Sequence, residues 1–563
     1  MRCSLRIDVE RLAWIGAVIL AALARLPALG ALPLSVADSS RAYATWQVAA
    51  GRLPALWSGD LVQTLTAGIF RIIGASDASA RLSAAILGTG LVATVWLYRP
   101  VAGGAAALLA AYFLALSPIS IAVSRSLSPY GAGALFALAA GGALLSFIDR
   151  PRPAPLAWLA GIVGLGVSTD ASFLVVLLAA TLFCIIEGIW LRREPLVPAG
   201  RFLRERTPLL RSTALIGLAG LVVALTRFGI APERLRGGAT LSWTQAFLPA
   251  AGATAASVPP WHFPLDALLG YEPFVFLGGL AVAVMLIARG RSSISTGERF
   301  LLYWGCAALG FALVASRRDT GQLPAVIAPL ALLTAAGAVR LLALARWDLI
   351  RQAIAPSLLA VPAFTYVLFV FESTTALTPL APGQQVALAL LTSGGIGLLG
   401  LGAIWSRESA PAYLTVCGLV AGTAFAIHTL TRVGFLTGDE FLLGPVATAG
   451  APALGDGLAQ IAAQVRGTIS VDPSLAAPLS WYTRGNPAVR IQAPAATSAA
   501  AVQPVDLPGV NGFSPLVSRN EIVRAWYPTG INPDRMLRWL LYRQAWQPVS
   551  STAVQVLVRS EQP

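Results

Sequence analysis

The stretch LPLSVADSSRAYATW, residues 32–46, puts one carboxylate, Asp38, where a chain leaving an apolar run re-enters water, and follows it with Arg41, Tyr43 and Trp46. Such an aspartate can act as a general base, pair with Arg41 at the surface, or cap the next helix. All 40 basic residues are arginine, so no lysine is present to serve as base. His262, in PPWHFP, and His428, in an apolar run, are too isolated to make a metal site alone. His262 with Asp38 or Glu272 could hold a divalent cation, or it sits in a packed aromatic-proline turn. The sequence carries no cofactor motif. Cys3, Cys184, Cys306 and Cys417 have no paired spacing and imply no disulfide framework.

The elements that position these groups follow from composition. Apolar residues make up 56% of the 563 and charged residues only 12%, with a mean hydropathy of +0.71, against roughly 25% charged in a soluble globule. A polytopic membrane protein is expected. The net charge of +14 invites a nucleic-acid reading. From Thr437 onward, however, 9 arginines face 8 acids, so the excess lies between apolar runs, where arginine serves topology and lipid headgroups.

A span needs about 20 apolar residues, and thirteen candidates lie near 12–33, 81–98, 102–122, 130–148, 155–169, 171–191, 212–230, 273–288, 299–316, 323–344, 354–372, 384–405 and 411–431. The arginine-rich loops DRPRP, LRREPLVPAGRFLRERTPLLR, ARGRSSISTGERF and RWDLIRQ then share the N-terminal side, which should be cytoplasmic. Residues 34–80, 231–272 and those after about 432 fall outside, the first two with the pattern of interfacial helices. The expected fold class is mainly α: a membrane helical bundle, residues 1–435, followed by a small extracytoplasmic α/β domain, residues 436–563. In the latter, TISVDP, AVRIQA and AVQVLVRS read as strands and NPDRMLRWLLYRQAW as a helix. The Ala/Pro-rich APAATSAAAVQPVDLPG reads as a loop.

The order of span, acid and interfacial helices, then GASDASARLSAAILGTGLVATVWLYRP and AAYFLALSPISIAVSRSLS, resembles the membrane glycosyltransferases of the GT-C type. More narrowly, it resembles the glycosyltransferase-39-like, flippase-activity-associated group. The matching residues are Asp38; Gly74, Ser76, Asp77, Ala80 and Arg81; Ser117, Pro118, Ser124 and Arg125; Tyr271 and Glu272; and Trp481, Tyr482 and Arg484. The chain departs from that pattern in four places, one of them WSGDLVQ in the first loop, where the group has a His-Gly-Pro turn. Ser39 stands where the group has a glutamate, Tyr130 near where it has a second acid, and Thr169–Asp170 where it has Lys-Glu.

The resemblance implies a GT-C-like bundle and sugar transfer from a polyprenyl-phosphate donor to a glycan or protein acceptor, with membrane lipids as further partners and no nucleic acid. Asp38 would be the base, and Arg41, Arg125, Arg317 and Arg318 would hold the phosphate, since a guanidinium fork meets phosphate oxygens bidentately. His262, Tyr271, Glu272 and Tyr130 are candidates for the substrate groove. Two functions stand open: a hexosyltransferase in the plasma membrane, or a non-catalytic carrier-binding or flippase-associated relative that keeps the groove after losing the acids.

Overall fold

The computed structural model describes residues 9–52, 60–191, 196–230, 260–289, 294–315, 320–358, 382–433, 440, 442, 445–464, 467–494, 498–510, 512–526, 539–540, 543 and 549–559. Its first helices begin at polar caps. After α1 (Val9–Arg25), α2 (Val36–Ala49) starts at Ser35, whose hydroxyl accepts from Asp38 N at 3.0 Å. The cap of α2 is therefore Ser35, not Asp38. Asp60 caps α3 (Leu61–Ile73), accepting from Gln63 N at 2.9 Å, and Ser76 opens α4 (Asp77–Thr94) in a capping box with Ser79. A short 3-10 turn, Val95–Tyr98, links α4 to α5 (Arg99–Ala102).

α6 (Gly104–Leu116) and α7 (Pro118–Ser124) are bent by 60°. Pro118 has no N–H, so the Leu114 carbonyl loses its helical donor. The buried Arg25 replaces it: Nη2 donates to Leu114 O at 2.8 Å and Nη1 to Ala115 O at 3.1 Å. A charge among apolar helices is thus spent on backbone carbonyls.

Next come α8 (Tyr130–Asp149), α9 (Pro153–Gly166), α10 (Ala171–Phe183), α11 (Leu196–Glu205) and α12 (Thr207–Leu225). α9 and α12 meet backbone to backbone, for a Cβ on Gly164 would lie 2.3 Å from Gly217 O. Gly164→Ala is expected to cost about 1–3 kcal/mol, read as a lower melting temperature of the purified protein in detergent. α13 (Phe263–Tyr271) and α14 (Pro273–Arg289) bend by 107° at Glu272. α15 (Thr296–Val314), α16 (Pro324–Ala343), α17 (Trp347–Leu358), α18 (Pro382–Trp405) and α19 (Ala410–Val433) complete the bundle, with α16 packed centrally against α6, α14 and α15.

Twelve of the thirteen expected spans overlap helices, the first only as far as Arg25 and the seventh displaced to Thr207–Leu225, and of 354–372 only the part to Leu358 is described. Among the described residues six helices are long and apolar enough to cross a membrane, or eight if each bent pair counts as one span. Residues 231–259 of the second expected interfacial segment lie outside the described residues, as does most of NPDRMLRWLLYRQAW.

The C-terminal part forms a six-stranded mixed sheet in the order β1-β5-β6-β4-β2-β3. The strands are β1 (Val446–Ala447), β2 (Thr468–Val471), β3 (Val489–Ile491), β4 (Ser498–Pro504), β5 (Phe513–Ala525) and β6 (Ser550–Arg559). Among the described residues of this part, the sheet is flanked by α20 (Gly450–Gln464) and α21 (Ala476–Tyr482). The stretch expected as a loop contains β4, an inner strand parallel to β2 and antiparallel to β6. Its small residues mislead a composition reading. Ala500 and Val502 are buried with Leu454, Leu458 and Leu479 of the flanking helices, so the strand is defined by what covers it.

Candidate functional site

α2 presents Asp38 and, one turn on, Arg41 on the same face. Both line a cavity of about 210 Å³ whose walls also carry Arg81 from α4, Arg125 after α7, Tyr130 of α8, Thr320 and Gly321 before α16, Leu430 of α19, and Leu442 and Val446 from the C-terminal part. Asp38 is only 5% exposed, and its Oδ1 accepts from Leu127 N at 2.9 Å. Burial pushes its carboxyl above the ordinary range, opposed by the charges of Arg81 and Arg41. That is the direction a carboxylate needs to take up a proton near neutral pH.

The three cations are bound differently. Arg41 Nη1 donates to Leu127 O at 3.1 Å, the same residue whose amide holds Asp38, so carboxylate and guanidinium are registered on one residue. Arg81 grips the turn between α1 and α2: Nη1 donates to Leu29 O and Leu32 O at 2.6 Å, and Nη2 to Pro33 O at 2.7 Å. Arg125 holds the same turn through Pro27 O at 2.9 Å and Ala28 O at 3.1 Å. Arg81 and Arg125 therefore shape the cavity as well as charge it. Of the three, Arg41 is the guanidinium least committed to backbone.

Of the expected site residues, Asp38, Arg41, Arg125 and Tyr130 come together. Arg317 and Arg318 lie outside the described residues; Thr320 and Gly321, which follow them, line the cavity. His262, Tyr271 and Glu272 do not reach it. His262 Nδ1 lies 2.6 Å from Asp266 Oδ2 on a half-exposed turn, because the i, i+4 spacing brings that carboxylate first. The Tyr271 hydroxyl donates to Glu440 at 2.5 Å, and Glu272 accepts from Ser117 Oγ and from Ile119 N, joining the bend at 272 to the bend at 117. Among the described residues no three His, Cys, Asp or Glu side chains gather as a metal site.

Arg81 has no assigned role in a reading by residue type, although it stands in a matched motif; only the folded chain brings it beside Asp38. The contribution of the C-terminal part is also tertiary. Asp77 accepts from Trp481 Nε1 at 2.7 Å and from the Tyr482 hydroxyl at 3.1 Å, while Arg484 Nη2 donates to Ala75 O at 2.7 Å and its guanidinium lies 3.8 Å from the Trp481 ring centre. The Tyr482 oxygen in turn accepts from Leu34 N at 2.9 Å, Val36 N donates to Pro445 O at 3.1 Å, and Ser35 bridges to Val446. The residues leading into α2 are thus held by the C-terminal part.

This architecture is the GT-C fold of membrane glycosyltransferases. ArnT from Cupriavidus metallidurans bound to undecaprenyl phosphate aligns with a TM-score of 0.52 at 16% identity, over 84% of each chain. The same protein in the apo state aligns at 0.53 and 15%, with the same coverage. The apo oligosaccharyltransferase of Archaeoglobus fulgidus aligns at 0.50 and 14%, over 85% of this chain and 64% of that one. By sequence, residues 61–200 match the profile of the dolichyl-phosphate-mannose-protein mannosyltransferase family. No curated protein matches the chain by sequence.

Proposed function

We propose that the protein is a membrane glycosyltransferase acting on a polyprenyl-phosphate-linked sugar at the extracytoplasmic face, with residues 436–563 outside the membrane and helping to guide the acceptor. The observation that carries this reading is the single cavity that contains a buried aspartate and three guanidinium groups. Asp38 takes the proton from an acceptor hydroxyl as its oxygen bonds to the anomeric carbon. The bond from that carbon to the phosphate oxygen breaks, and the polyprenyl phosphate leaves against Arg41 and Arg125. Arg81 keeps the turn before α2 closed on the cavity. ArnT has been captured with undecaprenyl phosphate, a ligand of the same chemistry.

A second reading is favoured by Ser39, which is buried with its hydroxyl unbonded among the described residues where the resembling group has a glutamate. It makes the protein a carrier-binding relative without transfer activity. Mass spectrometry of lipids copurified with the wild-type protein and with Asp38→Asn tests both. A bound polyprenyl-phosphate sugar that turns over only in the wild type supports transfer, retention without turnover in both supports the second reading, and absence of any carrier in both defeats the two together. Arg41→Gln is expected to weaken carrier binding about tenfold, equivalent to about 1.4 kcal/mol, measured by titration with undecaprenyl phosphate in detergent.

A further inference from the structure

A second concentration of guanidinium groups lies at the opposite end of the bundle, where the proposed chemistry does not use it. α8 starts at Tyr130 in the cavity wall and ends at Asp149, and its 20 residues separate the two ends by about 30 Å. At the far end α9 and α12 run parallel, since Gly217 meets Ala160 and Gly164 meets Leu221. Their first turns therefore lie side by side, immediately after Arg152 and Arg206 respectively.

α11 lies against the same end. It buries Leu196 and Ala199, and its Phe202 ring packs edge-on against Phe147 of α8 with centroids 5.9 Å apart. The outward face carries Arg201 and Arg204. With Arg150, Arg152, Arg206 and Arg211 this makes, among the described residues, six exposed guanidinium groups against two exposed carboxylates, Asp149 and Glu205. Among the described residues Arg150 pairs with its neighbour Asp149 at 3.5 Å, Arg206 lies 4.9 Å from the Phe202 ring centre, and the other four have no carboxylate partner. Just beyond, Ile189 and Leu215 expose 72% and 65% of their surface, as side chains facing hydrocarbon do. Arginines that merely snorkel would be spread around the rim. Here two stretches far apart in the chain, the α8–α9 turn and the run from α11 into α12, bring them to one apolar-backed helix, and their planar forks suit phosphate oxygens in the headgroup layer.

We propose that α11 and the adjoining starts of α9 and α12 form a binding site for an anionic glycerophospholipid of the facing leaflet, preferring a headgroup with two phosphates. Two groups of cations, one on α11 and one at the paired helix starts, match two phosphates on one lipid.

The test is native mass spectrometry of the full chain in neutral detergent, titrated with cardiolipin and, separately, with phosphatidylglycerol, an anionic lipid with one phosphate. The wild type should retain cardiolipin about tenfold more strongly, and the triple variant R201Q/R204Q/R206Q should lose about that factor. A control variant, R490Q/R524Q/R559Q, removes the same charge from the C-terminal sheet and should retain the wild-type preference. Equal retention of the two lipids by the wild type overturns the proposal whatever the variants do. Equal loss in both triple variants also overturns it, because net charge would then suffice. If the first variant does not fold, R201Q/R204Q, confined to the exposed face of α11, takes its place.

Discussion

Asp38→Asn is expected to lower transfer from a polyprenyl-phosphate sugar by on the order of 10²–10⁴-fold, the usual contribution of a positioned general base. The substitution separates chemistry from architecture. An asparagine Oδ1 can still accept the 2.9 Å bond from Leu127 N, and its volume is unchanged, so the cavity and carrier binding should persist. Release of polyprenyl phosphate from the copurified donor measures the rate, and the bound-lipid stoichiometry measures the rest. Equal rates in the two proteins would leave Asp38 a structural residue and the base elsewhere.

The same carboxyl sets a pH dependence. Burial raises its pKa above the ordinary aspartate value, and the base works only when ionised. Activity should therefore rise with pH through that raised pKa, an acid limb that Asp38→Asn removes. Stability runs the other way. The folded chain holds this proton more tightly than the unfolded chain, so the contribution is complete below the unfolded pKa and is lost as pH rises through the folded one.

Asp77→Ala should have the second large effect, on attachment of the C-terminal part. Trp481 is fully buried, and its indole N–H and the Tyr482 hydroxyl both bond to this one carboxylate. Hydrogen bonds to a charged group each contribute about 1.5–3 kcal/mol, so removing the shared acceptor should cost roughly 3 kcal/mol or more. The effect should reach the site, because Tyr482 also accepts from Leu34 N just before α2. Hydrogen exchange is expected to quicken in residues 476–484 and, with them, in residues 34–38, and carrier affinity should fall. Faster exchange confined to 476–484 would show that α2 is held without the tyrosine. Asp77→Asn, which keeps one acceptor oxygen, should lie between wild type and alanine.

Much of the bundle could be read from the chain because a spanning helix satisfies its own backbone and advertises itself by length and hydropathy. The approximate positions of the spans and the strands in TISVDP and AVQVLVRS are local features of this kind. β4 was not legible, since an Ala-rich run has weak strand preference and becomes a strand only between β6 and β2.

The site divides along the same line. Sequence by itself determined that an aspartate and an arginine stand one helical turn apart beyond the first apolar run, and that arginine alone supplies the positive charge. Tertiary structure decided which arginines join them. It brought Arg81 and Arg125 from the ends of two other helices onto the turn before α2, and spent Tyr271 and Glu272 on joints between elements. The physical reason is reach: caps and spans are settled within a few residues of chain, whereas a buried charge is settled by whichever carbonyls or carboxylates packing delivers, here from residues tens to hundreds of positions away.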